Sequence, residues 1–383
     1  MYRKVTASQI FNGFEFLPSK QVVIADHLGN IRDVVSEHDA GDDIQYFDGI
    51  LCPGFINTHC HLELSHLKGM IPQKTGLIDF VSSVMEKRHF QIEMIQDSLS
   101  KAEASMLENG IVAIGDICNT NVTIDQKKKN NIFYHNFLEV TGFPKEVANP
   151  RFEKIEDLYR EFTLHGLSSS IVPHAPYSVS IELFKKINAF ANNDIVSIHN
   201  QETTAENEWY QNKSGSFLDF YNKYHITTDS FEPFNSSSLQ AILPFFTQQK
   251  SLMFVHNVFT TEEDVAKAIM HVKKCNSALY FCLCPKANMY IGGELPDIDM
   301  LIKNKANITL GTDSLASNDE LSILSEIKLI QNKFPHIPLA LLLKWATYNG
   351  AQALQIESQY GSFEKGKQPG MLLIQDSKVL KLH

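Results

Sequence analysis

What this sequence lacks narrows its function first. It has only six cysteines, Cys52, Cys60, Cys118, Cys275, Cys282 and Cys284. None forms a C-x-x-C pair, and six so scattered do not make a disulfide scaffold, so reduced thiols in a cytoplasmic protein are expected. No stretch approaches the roughly 20 continuous apolar residues of a membrane span. The opening run from Met1 to Phe16 has no apolar segment of secretory-signal length. Basic residues are the minority, 34 against 44 acidic, for a formal charge of −10. A net acidic surface repels phosphate backbones, so neither nucleic acid nor a membrane is the expected partner. There is no internal repeat and no low-complexity tract to suggest a solenoid or a disordered scaffold.

What is present is alternation. Residues 1–50 read as short β segments, with Val22–Ala25 and Ile31–Val35 separated by a Leu28-Gly29-Asn30 turn signal. From residue 51 apolar runs of strand length alternate with helical stretches, the pattern of βα units and a parallel sheet. Eight such runs follow in order: 54–58, 111–116, 132–140, 170–174, 195–199, 252–256, 278–282 and 308–313. Five of them end on His or Asp. Eight parallel strands separated by helices predict a (β/α)8 TIM-type barrel, whose chemistry sits at the C-terminal strand ends. Helices are expected over 77–89, 93–109 and 320–333 from their apolar stripes. Beyond residue 354 the β character returns at 361–363 and 370–374. The expected organisation is therefore a barrel over 51–354 and a small composite β-sandwich domain made of 1–50 and 355–383.

The sharpest local feature is His59-Cys60-His61 at the end of an apolar strand. Alternate residues of a strand point to one face, so two imidazoles at i and i+2 enter one space and can bind one metal. Cys60 points the other way and is expected to pack. Lys127-Lys128-Lys129 reads as a solvated charge run.

The run Pro53-Gly54-Phe55-Ile56-Asn57-Thr58-His59-Cys60-His61 resembles the first-strand motif of the amidohydrolase superfamily. Ile195–Glu202 is similar to that superfamily's fifth-strand histidine with a following glutamate, Phe254–Asn257 to its sixth-strand histidine, and Gly311–Ser314 to its eighth-strand aspartate. Three further stretches resemble the aminohydrolase branch, which includes cytosine and adenosylhomocysteine deaminases and the triazine chlorohydrolases. They are Pro173–Ser180, Cys284–Gly292, with Lys286-Ala287 where the branch more often has Arg-Ser, and Asp313–Asn318. The likeness covers about residues 51 to 374, and Gly366–Gly370 departs from the usual Ala-Asp pair.

The resemblance implies one divalent transition metal, Zn²⁺ or else Fe²⁺, held by His59, His61, His199 and Asp313, with ligand types that suit either ion. No lysine closes the third strand, near Glu139, or the fourth, at His174, where binuclear relatives hold a carboxylated lysine, so one metal is expected. Such a metal brings the pKa of a bound water toward neutrality. Asp313 would take a proton from that water, Glu202 would deliver one to a ring nitrogen and the leaving amine, and His256 would orient the attack or serve as a further ligand. Glu63, His174, Lys286, Asn288 and Ser317 are the expected substrate contacts. His-x-His-Leu-Glu-x-Ser, here His59 to Ser65, resembles the aminofutalosine deaminase group, whose substrate joins an adenine, a ribose and a carboxylate-bearing aryl group. Glu63 would accept the sugar hydroxyls, and Lys68, Arg88 or Lys286 would meet the carboxylate. The expected function is hydrolytic deamination of an amino-heterocycle such as an adenine nucleoside derivative, in a possible homodimer. A cyclic-amide hydrolase of the imidazolonepropionase kind, a chlorohydrolase, and a non-catalytic barrel that binds a small molecule remain open at this point.

Overall fold

The computed structural model describes residues 2–382. Near the N-terminus are β1 (Arg3–Ile10), β2 (Gln21–Ala25), β3 (Ile31–Ser36) and β4 (Ile44–Pro53). The eight runs found in the sequence are β5 (Phe55–Cys60), β6 (Ile111–Cys118), β7 (Phe133–Val140), β8 (Ser168–Pro173), β9 (Ile195–Asn200), β10 (Ser251–His256), β11 (Ala278–Leu283) and β12 (Asn307–Leu310). The chain ends on β13 (Met371–Gln375) and β14 (Lys378–Lys381).

β5 to β8 form one four-stranded parallel sheet and β9 to β12 another, so the fold is α/β with parallel sheets. Main-chain hydrogen bonds cross both gaps between them. His59 O accepts from Thr312 N at 3.0 Å and Asp313 N at 3.1 Å, and His174 O accepts from His199 N at 3.0 Å. The strands are buried along nearly their whole length, as expected when helices cover a parallel sheet. Between them lie the helices Leu77–Lys87, Ile92–Glu108, Ala148–Leu164, Ile181–Ala189 and Glu262–Cys275, among shorter ones, with Ile323–Lys333 after β12. Gly311 is required where β12 runs against β5. A Cβ there would come within 2.8 Å of the His59 Cβ and 2.9 Å of the His59 carbonyl oxygen. No helix among the described residues is long and apolar enough to cross a membrane.

The terminal segments come together in one sheet. They share one six-stranded sheet in the order β14-β13-β4-β1-β2-β3, because β4 pairs with β1 on one side and with β13 on the other. The two chain ends therefore join edge to edge. β4 also runs through residue 50, where the boundary was expected. Gly361-Ser362-Phe363 is not a strand. It is irregular chain whose Phe363 N bonds the Asn12 carbonyl at 2.8 Å. Val5, Ile10, Val23, Ala25, Ile31, Leu51, Phe363 and Met371 make a small apolar cluster apart from the main core.

The lysine run is also corrected. Lys127 is fully buried, with its Nζ 2.5 Å from Asp116 Oδ2, 2.7 Å from Asn136 Oδ1 and 3.0 Å from Cys118 Sγ. Burial works against its charge, but the Asp116 carboxylate more than offsets that and holds the ammonium above its usual pKa. Asp116 Oδ1 in turn accepts from Leu62 N at 2.8 Å, directly beside His61. Removing one partner of a buried pair leaves the other charge uncompensated. Lys127→Met should therefore destabilise the protein by about 3–5 kcal/mol in denaturant unfolding. A cost below about 1 kcal/mol would mean that the pair is solvated.

Candidate active site

The residues singled out at the strand ends converge. His59 Nε2 and His199 Nε2 each lie 3.2 Å from His61 Nε2. Asp313 Oδ1 lies 3.5 Å from His59 Nε2 and 3.3 Å from His61 Nε2. Burial keeps all three imidazoles below their usual pKa, His61 at about 3, so each offers a lone pair near neutral pH. Burial opposes ionisation of Asp313, but its hydrogen bond with His59 and the nearby His61 and His256 outweigh that and keep the carboxyl well below its ordinary range.

These four atoms fit a single ion. A tetrahedral site with bonds of about 2.0–2.1 Å has ligand–ligand edges of about 3.3–3.4 Å. Without a cation, neutral imidazole nitrogens this close would oppose lone pair to lone pair. A second grouping replaces His61 with His256, whose ring nitrogen lies within 4.8 Å of the donor atoms of His59, His199 and Asp313. The shorter distances favour His61.

Surrounding bonds fix the rings. His199 Nδ1–H donates to the His174 carbonyl at 2.8 Å, which leaves Nε2 as the free lone pair. Ser317 Oγ donates to Asp313 Oδ2 at 2.5 Å. His256 Nδ1–H donates to Asn288 Oδ1 at 2.8 Å, and its Nε2 lies 3.5 Å from Glu202 Oε1. The Glu202 side chain is only 7% exposed, and burial pushes its pKa up to about 7. Gln201, His256 and Asp313 have φ of 47°, 74° and 56°. Left-handed backbone is uncommon in residues other than glycine and clusters at functional sites. Here it occurs at or just past the ends of β9, β10 and β12. Glu206 supports the turn before Glu202, since its Oε1 accepts from Gln201 N at 3.0 Å and from the Ser238 hydroxyl at 2.5 Å.

Several expected substrate contacts have protein partners of their own. Glu63 Oε1 accepts from Arg88 at 2.8 Å, and Oε2 accepts from Asn119 N at 3.0 Å, Thr120 N at 3.2 Å and Thr120 Oγ1 at 3.1 Å. A carboxylate has about four acceptor sites. Protein donors crowd Oε2 and take one site of Oε1, so Glu63 orients Arg88 and the 119–120 turn. Lys286 is paired with Glu320 at 3.1 Å. Ser317 is fully buried and turned to Asp313. Asn288 keeps one buried amide nitrogen without a partner. Lys68 is exposed, and Arg88 is half-buried. His174 stands beside His199, with ring centroids 4.8 Å apart, and burial lowers its pKa to about 4.

Glu139, read in the sequence only as a strand end, belongs to this site. It lies 3.6 Å from His199 Nδ1, and burial pushes its pKa up to about 7. Its place at the C-terminal end of the third strand of the series was the available signal.

The chain is similar to known proteins of one family. The model of the Amidohydrolase family matches residues 50–381. An adenosine deaminase of Helicobacter pylori is 27% identical over 334 residues, 84% of this chain and 78% of the relative. An aminodeoxyfutalosine deaminase of a Nitratiruptor species is 27% identical over 337 residues, 85% of this chain and 79% of the relative. The crystal structure of Helicobacter pylori aminofutalosine deaminase with methylthio-coformycin superposes with a TM-score of 0.83 at 24% identity, over 100% of this chain and 92% of that one.

Proposed function

The chain belongs to the amidohydrolase family, and on that premise we propose that it is a metal-dependent hydrolase that deaminates an adenine nucleoside derivative, releasing ammonia. The observation that carries the reading is the convergence of His59, His61 and His199 Nε2 with Asp313 Oδ1, beside Glu202 and His256. The two four-stranded sheets, bonded across both gaps, support a closed (β/α)8 barrel over about 51–354 with a small composite β domain from the chain ends.

His59, His61, His199 and Asp313 would hold a divalent transition metal, which would supply a Lewis acid for the ionisation of water near neutral pH, and three nitrogens with one oxygen suit Zn²⁺ or Fe²⁺. The protein groups divide the remaining work. Asp313, anchored through its second oxygen by Ser317, accepts the proton that water loses. Glu202, whose neutral form burial favours up to about pH 7, donates its proton to the ring nitrogen as the C–O bond forms. It takes the attacking oxygen's remaining proton as the carbonyl forms and passes it to the departing amine, and the proton held by Asp313 then returns to Glu202. The products are a ring carbonyl and ammonia. His256, oriented by Asn288, presents Nε2 to the same space and stabilises charge on the attacked ring. His174 and the free amide of Asn288 face the substrate.

The test is ammonia release from a panel of adenine nucleosides, free adenine, cytosine, guanine and pterins. Adenine nucleosides should have the highest kcat/KM. A preference for free bases would reduce the reading to an unspecified amino-heterocycle. Turnover of a cyclic amide with no ammonia from any amino-heterocycle would overturn it.

A further inference from the structure

Resting on the reading above, we propose that Glu139 and His174 form an acceptor pair that receives the hydroxyl groups of the substrate's sugar. The Glu139 side chain is buried, and its two oxygens are treated differently. Oε2 accepts from Asn119 Nδ2 at 2.9 Å. Oε1 is buried with no hydrogen-bond partner. His199 is close at 3.6 Å but cannot satisfy it, because the Nδ1 proton of His199 is committed to the His174 carbonyl.

His174 presents an acceptor nitrogen beside Glu139. Ser178 Oγ donates to the Ala175 carbonyl at 3.0 Å and therefore accepts from Ala175 N at 3.2 Å and His174 Nδ1 at 2.9 Å. The His174 proton is then on Nδ1, and Nε2 is an acceptor. Glu139, His174 and His199 can bring one ligating atom each to within 4.8 Å of one another. A buried, unpartnered Glu139 Oε1 beside the acceptor nitrogen of His174 calls for a ligand that brings hydrogens.

In an adenine nucleoside the unprotonated ring nitrogens of the base are acceptors. The donors are the exocyclic amine and the sugar hydroxyls. The amine must lie over the Nε2 cluster where the C–N bond breaks, so the hydroxyls remain for Glu139 and His174. Glu63 is already engaged by four protein donors, three of them on Oε2. Its role is one step removed. Glu63 holds Arg88, Arg88 donates to Asn119 Oδ1 at 3.2 Å, and Asn119 fixes Glu139 Oε2 and leaves Oε1 free.

The experiment measures kcat/KM for the best adenine nucleoside of the panel and for its 2′-deoxy and 3′-deoxy analogues, on the metal-loaded wild type and on Glu139→Gln, with metal content determined for both. In Glu139→Gln the Asn119 amide selects the oxygen of the new side chain, so an NH₂ donor replaces the free acceptor. The wild type should lose about 10–100-fold on at least one deoxy analogue, mainly through KM. Glu139→Gln should retain its metal, lose a similar factor on the full nucleoside and discriminate among the three by no more than a few-fold. The proposal is overturned if the wild type deaminates all three alike, a result that needs no variant to fold. It is also overturned if Glu139→Gln keeps the full discrimination, or if two metals per chain fall to one in that variant, which would make the pair a second metal site. Failure of the wild type on every adenine nucleoside overturns the parent reading and is reported separately by the ammonia panel.

Discussion

His59→Ala and Asp313→Ala should each leave a folded protein with no tightly bound metal and no measurable turnover. The wild type should carry about one transition metal per chain, because one complete ligand set is present. The size of the effect follows from the geometry. His61 Nε2 stands 3.2 Å from each of its imidazole neighbours and 3.3 Å from Asp313, so the four groups act as one unit. Losing one opens an edge and unbalances the rest. A graded control comes from the support of the ligand. Ser317→Ala removes the 2.5 Å bond to Asp313 but no donor atom, and should cost about 10–100-fold in metal affinity or activity. Chelation of the wild type should abolish activity, and adding back Zn²⁺ or Fe²⁺ should restore it, whereas neither ion should rescue Asp313→Ala. Two metals per chain in the active protein would overturn the mononuclear site. Full activity without metal would overturn the assignment altogether.

The parts of this site that were legible in the sequence are those whose geometry is local. A strand places residues i and i+2 on one face, so His59 and His61 identify themselves. His199, His256 and Asp313 end the fifth, sixth and eighth apolar runs, and the family resemblance singles them out from the other strand-end residues. The charge partners were not legible, because the groups that meet are far apart in the chain. Lys127 lies in a run that resembles a solvated face, and only the approach of helix Ile124–Lys127 to the end of β6 brings it to Asp116. Glu63 and Arg88 are 25 residues apart, and nothing in the spacing shows that Asn119 and Thr120 would fill the other oxygen. The chain ends show the same limit. Their β character was readable. That the two ends would join through one strand depended on β4 pairing on both edges, a long-range fact. Glu139 was visible as a strand end, but its orphaned oxygen exists only because His174 claims the His199 proton.

Glu202→Gln should keep the metal and the substrate affinity while kcat falls about 10²–10⁴-fold, the usual contribution of a general acid–base group. Glu202 lies three residues past His199, beyond the end of β9, and stands outside the Nε2 cluster. Its near neighbour there is His256, at 3.5 Å. An isosteric amide preserves that packing and removes only the transferable proton. The pH dependence supplies an independent check. Burial pushes the Glu202 carboxyl up to about 7, so its neutral, proton-donating form prevails below that pH and is lost above it. The kcat profile of the wild type should therefore fall on the alkaline side as Glu202 ionises, and Glu202→Gln should lack that limb while retaining a low, flatter rate. KM should move little in the variant, since the group acts as the C–O bond forms and the amine departs, not in ground-state binding. If Glu202→Gln instead emerges without metal, Glu202 is a ligand or holds one in place. If it retains both metal and full kcat, the proton must reach the leaving amine from His256 or from solvent.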